Sequence, residues 1–335
     1  MNRRTRRTLW IVAAVLVVLA AAIFLRSKAP PEAARLLPES DGIIYINFKP
    51  VRAFLHKDLK PPQRAAEYQQ FIDEIGIDPE RDLDEAAIAL HRMQDPSGPN
   101  GTVAYSVVLV GKITGKKLNA WLDAHATSRE SYAGHTIYSI PSAQGRTDRV
   151  AQIGYDMVAV SNYPTPEMIH SMLDRHATAA LPVANSTMLR QYYHEVPLLS
   201  PVWGVGHIEL PFTESGAIQI LGFSLPLQTN STYIASLRWT GSFHLRVEEI
   251  APNDEVAARQ AAALATVVTL ARDFTIGLAG NAANNGLREL LKTAEVTQKR
   301  NRVVVTATVD RSLFSAVEAD RNAPPDSPSG AGASK

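Results

Sequence analysis

The sequence predicts an α+β protein: an N-terminal transmembrane helix, then two similar units of mostly antiparallel sheet with helices packed on one face. Three observations lead there. An uncharged apolar run, Leu9 to Leu25, follows four arginines. Short segments of period-two apolar alternation recur with helical stretches between them. A Leu-Leu pair, a turn residue and a strand occur twice, as "RLLPESDGIIYINF" and "PLLSPVWGVGHIEL". A chain of 335 residues has room for two ordinary domains, and 45% apolar with 20% charged content suits a folded body.

The N-terminus carries the strongest signal. Seventeen helical residues from Leu9 to Leu25 rise about 26 Å, near the lower limit for a bilayer core. Trp10 stands where an interfacial aromatic belongs, and the upstream arginines orient the N-terminus inward and the body outward. A cleaved signal peptide would have a shorter apolar core, and its A-x-A-like site would be Ser27-Lys28-Ala29. Pro30 and Pro31 directly after that site obstruct cleavage, which favours a retained anchor over a soluble secreted body. Arg6-Arg7 also fits a twin-arginine export signal, though such pairs are common in basic leaders. The domain reading is therefore a basic n-region and anchor over 1–28, a linker over 29–34, α+β domains over 35–195 and 196–320, and a Pro/Ser/Gly-rich tail over 321–335.

In the first domain, strands are predicted at Ile43–Phe48, Ala86–His91, Val103–Val110, Thr136–Ile140, Val150–Gly154 and Met157–Ser161. Helices are predicted over Gln63–Ile75, stopped by Gly76, over Gly115–Ala126, and from Pro164 and Pro166 to Arg175. The second half reads similarly. "YIASLRWTGSFHLRVEEI" is a hairpin turning at Thr240-Gly241, and Asp254 caps a long Ala-rich helix to Phe274. "AEVTQKRNRVVVTATV" is a hairpin turning at Arg300-Asn301. Each half is thus strand, insert, two strands, helix, two strands, as an internal duplication would give.

Charge and composition exclude several functions. Residues 1–28 hold six basic side chains and no acid, leaving 28 of the 34 basic groups against all 33 acids in the body. An acidic body offers little counterion release, so nucleic acid is not an expected partner. The absence of cysteine excludes disulfides, thiolate nucleophiles and Cys-based zinc sites.

"GIDPERDLDEAAIAL" packs Asp78, Glu80, Asp82, Asp84 and Glu85 into eight residues. Read as a calcium loop from Asp78, it has Leu83 where the turn glycine belongs and Ala89 where the bidentate acid belongs. Helix stop at Gly76, proline turn at Pro79 and strand start after Asp82 explain it better, with Asp82 accepting local N–H groups and the carboxylates facing water. The histidines show no H-E-x-x-H and no i, i+4 pair. His170 and His176 are predicted on nearly opposite helix faces, and His207 and His244 within strands. "GFSLP" lacks the second glycine of a nucleophile elbow, and "GVGHIE" at Gly204 lies within a strand instead of after one. The apolar run Gly216–Leu227 reads as a core segment, or else as a loop facing lipid or a partner. No catalytic, cofactor or metal residue is assigned, and no cofactor is expected.

"LLPESDGIIYINF" followed by "GIDPERDLDEAAIAL" resembles uncharacterised bacterial exported proteins built around a domain of unknown function. Those proteins start "LP…A…Y.N", carry a "GhDP..DhD" turn (h, apolar) and often have a signal anchor. The likeness extends from about Arg35 to Val317 and implies a bacterial host and an extracytoplasmic body; it carries over no catalytic residue. The expected function is a single-pass membrane protein, held through residues 9–25, whose body binds a protein, lipid or envelope polymer. The alternative is an envelope hydrolase whose carboxylates come from distant segments.

Overall fold

The computed structural model describes residues 29–55, 64–113, 115–178, 186–207, 217–220, 223–226, 228, 230–276 and 282–310. The n-region, the apolar run 9–25 and the tail 321–335 lie outside them. Among the described residues, no helix is long and apolar enough to cross a membrane. The protein is α+β, with antiparallel sheet and helices. Its contacts form two units: residues up to Gly216 with Gln228–Ser236, and Ala217–Leu227 with the residues from Leu237 onward.

In the first unit, β1 (Gly42–Asn47), β2 (Leu83–Arg92), β3 (Val103–Gly111), β4 (Ser128–Tyr132), β5 (His135–Pro141), β6 (Thr147–Gln152), β7 (Met157–Ser161) and β8 (Val202–His207) run in the sheet order β8-β1-β2-β3-β7-β6-β5-β4. Tyr45 of β1 stands opposite Ala87 on one side and Trp203 on the other. Residues 202–207 thus pair within this unit, so the expected domain boundary at 195/196 falls before its last full strand. The helices are α1 (Glu32–Arg35), α2 (Phe48–Leu55), α3 (Ala66–Ile75), α4 (Pro79–Asp82), α5 (Gly115–His125), α6 (Glu167–Ala177) and α7 (Thr187–Tyr192). α1 begins inside the stretch read as a linker, and its Ala33 and Ala34 are fully buried.

Helical spacing turns Leu118 and Leu122 of α5 inward, where they meet Ile75, Ile77, Leu83, Val150 and Val158. Burying a side chain of this size contributes about 2 kcal/mol. The neighbours of Val158, Met157 and Ala159, are also buried. Successive strand residues point to opposite faces, so β7 is covered on both. An uninterrupted "MVAVS" fits a strand buried on both faces better than an alternating one.

The second unit contains β12 (Phe243–Ile250), β13 (Glu295–Lys299) and β14 (Arg302–Val309) in the order β13-β14-β12, and a separate hairpin of β9 (Ala217–Ile220) and β10 (Phe223–Pro226). β11 (Thr232–Trp239) divides between the units. α8 (Asp254–Ile276) and α9 (Ala282–Thr293) cap each other. Arg272 of α8 donates to the carbonyls of Leu291 and Ala294, and Arg288 of α9 donates to the Thr275 carbonyl. Each guanidinium thereby meets carbonyls at a helix C-terminus, where a cation is favoured. The N-cap of α8 is Asn253, whose Oδ1 accepts from Val256 N at 2.9 Å. This corrects the assignment to Asp254, which is already helical and contributes charge in the first turn.

Candidate functional site

The five carboxylates were the first candidates, and the fold uses all of them. Gly76 ends α3 in the left-handed region at φ 70°. Asp78 then caps α4, its Oδ1 accepting from Glu80 N at 3.2 Å, with Pro79 in the first turn. Asp82 Oδ2 accepts from Asp78 N at 2.9 Å, the local role expected of it. Arg81 binds the same carboxylate through two nitrogens at 2.9 and 3.0 Å. Arg64 spans Asp78 at 3.1 Å and Glu80 at 2.7 Å. Asp84 meets Arg52 and, at 3.3 Å, Lys49. Asp82 is only 8% exposed, so not every carboxylate faces water as expected: Arg81 within the turn, and Arg52 and Arg64 from earlier segments, bring three guanidiniums onto the set.

Their acidities differ for physical reasons. The Arg81 guanidinium holds the Asp82 carboxyl below the usual carboxylate range. Burial pushes Glu85 up, against the opposing hydrogen bond from Tyr45 and the charge of Lys49. Burial chiefly, and Glu85 next, push the Tyr45 phenol upward. Among the described residues no group of three or more His, Asp or Glu is arranged to hold a metal ion.

A second polar set runs across β2, β3 and β7. His91 Nε2 lies 2.9 Å from Ser106 Oγ, which lies 3.0 Å from Ser161 Oγ. Ser161 Oγ donates to Tyr105 O at 3.3 Å and accepts from Tyr163 N at 3.2 Å. Asn162 Oδ1 extends the seam by accepting from Tyr105 N at 2.7 Å. A histidine beside a serine has the elements of an activated nucleophile. Here His91 is 5%, Ser106 0% and Ser161 1% exposed, so no substrate carbonyl reaches the hydroxyl. Burial drives the His91 pKa down to about 4, keeping the ring neutral. The set is a neutral hydrogen-bond seam within the sheet. The sequence signal for it was slight: one serine within "VAYSVVLVG" and another closing "MVAVS".

The third set lies at the β4–β5 hairpin. The His170 ring stacks on Tyr132 with centroids 3.8 Å apart, and its Nε2 is 2.9 Å from Glu130 Oε1. Tyr132 donates to Asp174 Oδ2 at 3.0 Å, and His176 meets His135 edge-on at 6.1 Å. Tyr132 and His135 are cross-strand partners. His170 and His176 therefore address one hairpin, not opposite surroundings, because six residues along a helix rotate only about 120° apart.

The remaining candidates have structural roles. His207 Nδ1 is 3.2 Å from Thr232 Oγ1, and His244 lies between Ser242 and Thr308 hydroxyls at 3.1 and 3.3 Å. Gly206 lets β8 approach β1, since a Cβ there would stand 3.0 Å from Gly42 Cα. That accounts for Gly206 of "GVGHIE" without a phosphate. Residues 217–220 and 223–226 of the apolar run form the β9–β10 hairpin, so Ser224 of "GFSLP" lies in a strand, away from any strand-to-helix elbow.

The chain matches no protein family and no curated protein. Among solved structures it is similar to three crystal forms of a protein designated TP0453. Crystal forms III, I and IV align with TM-scores of 0.42, 0.40 and 0.41 at 9, 9 and 10% identity. Each covers 87% of this chain and 98–99% of the other. Likeness at this level assigns neither fold family nor activity.

Proposed function

We propose that the protein is a single-pass membrane protein, N-terminus inside, whose body outside the cytoplasm is a non-catalytic binding module of a bacterial cell envelope. The observation that carries this reading is the uncharged run Leu9–Leu25 behind four arginines. The resemblance to exported proteins through "LLPESDGIIYINF" and "GIDPERDLDEAAIAL" supports the same location. Binding is favoured over serine hydrolysis because, among the described residues, the histidine–serine set His91–Ser106–Ser161 is sealed inside the sheet. The partner class is a protein, a lipid or an envelope polymer.

The body reads as an internal duplication. The Leu-Leu pair, turn residue and strand that occur twice support this, and β13 and β14 follow α8 and α9 as β6 and β7 follow α5 and the β4–β5 hairpin. The test is carbonate extraction of membranes followed by protease treatment of intact spheroplasts. Retention in the pellet with digestion of the body from outside is expected. Release by carbonate, or a body protected until lysis, overturns the reading. Crosslinking from intact membranes then identifies the neighbour.

A further inference from the structure

We infer that one end of the first unit is a membrane-facing surface, with Tyr155, Leu198 and Leu199 seated in the interface of the bilayer that the tether enters. The inference rests on the transmembrane reading of Leu9–Leu25. Strand pairing defines the end. Glu85 pairs with Asn47, Leu83 with Gly111, Val110 with Met157, and Ile46 with Val202. The connections at that end therefore include 133–134, 153–156 and 197–201, while 93–102 and 141–146 lie at the other, about 30 Å away along β2.

Among the described residues of this unit, five large apolar side chains are exposed. The three most exposed, Leu199 (87%), Tyr155 (83%) and Leu198 (48%), all stand at the first end. Tyr68 and Phe71 belong to α3, and none of the five lies in the loops at the other end. Isolated exposed apolar residues need no explanation, but clustering of the most exposed at one end does.

Both tips are held firmly. Leu199 has φ 62°, a left-handed conformation that costs a residue with a side chain about 1 kcal/mol. Ser200 Oγ donates to Pro197 O at 2.7 Å, and Asn47 N donates to Pro201 O at 2.6 Å. Around Tyr155, Ile153 N donates to Met157 O and Gly111 N to Asp156 O, each at 2.9 Å. The tips are separated by four strand spacings, about 19 Å. A strained backbone that presents a leucine to solvent is accounted for if a lipid interface takes the side chain up.

The tether enters at the same end. α1 packs on β2 and β3, and Glu32 lies close enough to Glu85 for their charges to repel. From there the chain crosses the sheet to Asp41, whose N–H meets Leu90 O at the far end. Leu25 and Glu32 are seven residues apart, at most about 25 Å fully extended. The bilayer holding Leu9–Leu25 is thus tied to the end that carries the three side chains.

The natural chain lacks cysteine, so single Tyr155→Cys, Leu199→Cys and, at the other end, Ser97→Cys substitutions each accept one environment-sensitive fluorophore. The full chain is reconstituted in vesicles of phosphatidylethanolamine and phosphatidylglycerol, floated, and measured with plain or brominated lipid. Flotation reads the tether; quenching reads the surface. About twofold quenching at 155 and 199, with none at 97, is expected for probes at interfacial depth. Equal quenching at all three positions, or none at 155 and 199 in chains that float, overturns the membrane-facing end and leaves the tether standing. Chains that do not float overturn the tether, and this inference falls with it.

Discussion

The seam of His91, Ser106 and Ser161 and the turn from Asp78 to Glu85 occupy the same sheet and handle polar groups in opposite ways. The seam keeps its members neutral and passes hydrogen bonds between strands where water is excluded. The turn surrounds its carboxylates with Arg52, Arg64 and Arg81 near the surface. The difference follows from desolvation. Neutral hydrogen-bonded groups are buried at modest cost, whereas a carboxylate needs a cation or several donors. Glu85 lies between the two regimes: buried enough for its carboxyl to be pushed up, yet bonded to Tyr45.

The most severe way to break this comparison is Gly111→Ala, which strikes where the turn joins the sheet. A Cβ at Gly111 would stand 2.1 Å from Asp82 O and 2.9 Å from Leu83 Cα, and backbone atoms yield poorly. A loss of about 3 kcal/mol or more is expected in denaturant titration. Acid separates the two regions next. His91 holds fewer protons folded than unfolded, so its contribution is complete above its ordinary value of 6.5 and is lost as pH falls toward 4. Stability should drop by about 3 kcal/mol over that interval from this group, and His91→Gln should flatten the profile there.

Asp82→Asn is expected to cost about 1.5 kcal/mol at pH 7 by removing charge-assisted bonds. Because the folded carboxyl is held low by Arg81, the difference from the natural chain should persist to about pH 4 and close only below it. The seam and the turn would then be disarmed in separate acid windows, and coincidence of the two would collapse the distinction. Smallest is Glu85→Gln. Burial raises this carboxyl, so its ionised form opposes folding as pH rises through its folded value. A gain below about 1 kcal/mol at pH 7, absent near pH 4, is expected by thermal melting.

Much of the architecture was legible because apolar period and turn chemistry agreed. Met157–Ser161 has the predicted bounds, and Gly76 and Arg300 adopt the positive φ that their positions require. Elements without that agreement escaped. "FKPVRAFL" forms α2 although Pro50 interrupts it, since its third position needs no intrahelical N–H. "SRESY" forms β4 with no apolar face to announce it. "AANNGLRELLKT" forms α9 although Asn-Asn-Gly reads as a turn. The seam escaped because its members lie 15 and 55 residues apart and only strand pairing brings them together. Arg52 and Arg64 escaped because they lie 32 and 14 residues from the carboxylates they meet.

β4 carries one more consequence. Among the described residues it pairs only with β5, so its outer row of backbone groups could template a strand from another molecule. Its side chains resist that outcome. Arg129 pairs with Asp123 at 3.0 Å and lies over the Tyr138 ring at 5.6 Å, while Glu130 and Tyr132 are held by α6. An approaching chain would meet charged and polar side chains along this edge instead of an apolar row. The feature that hid β4 from sequence reading, its lack of an apolar face, thus protects the protein against edge-to-edge aggregation.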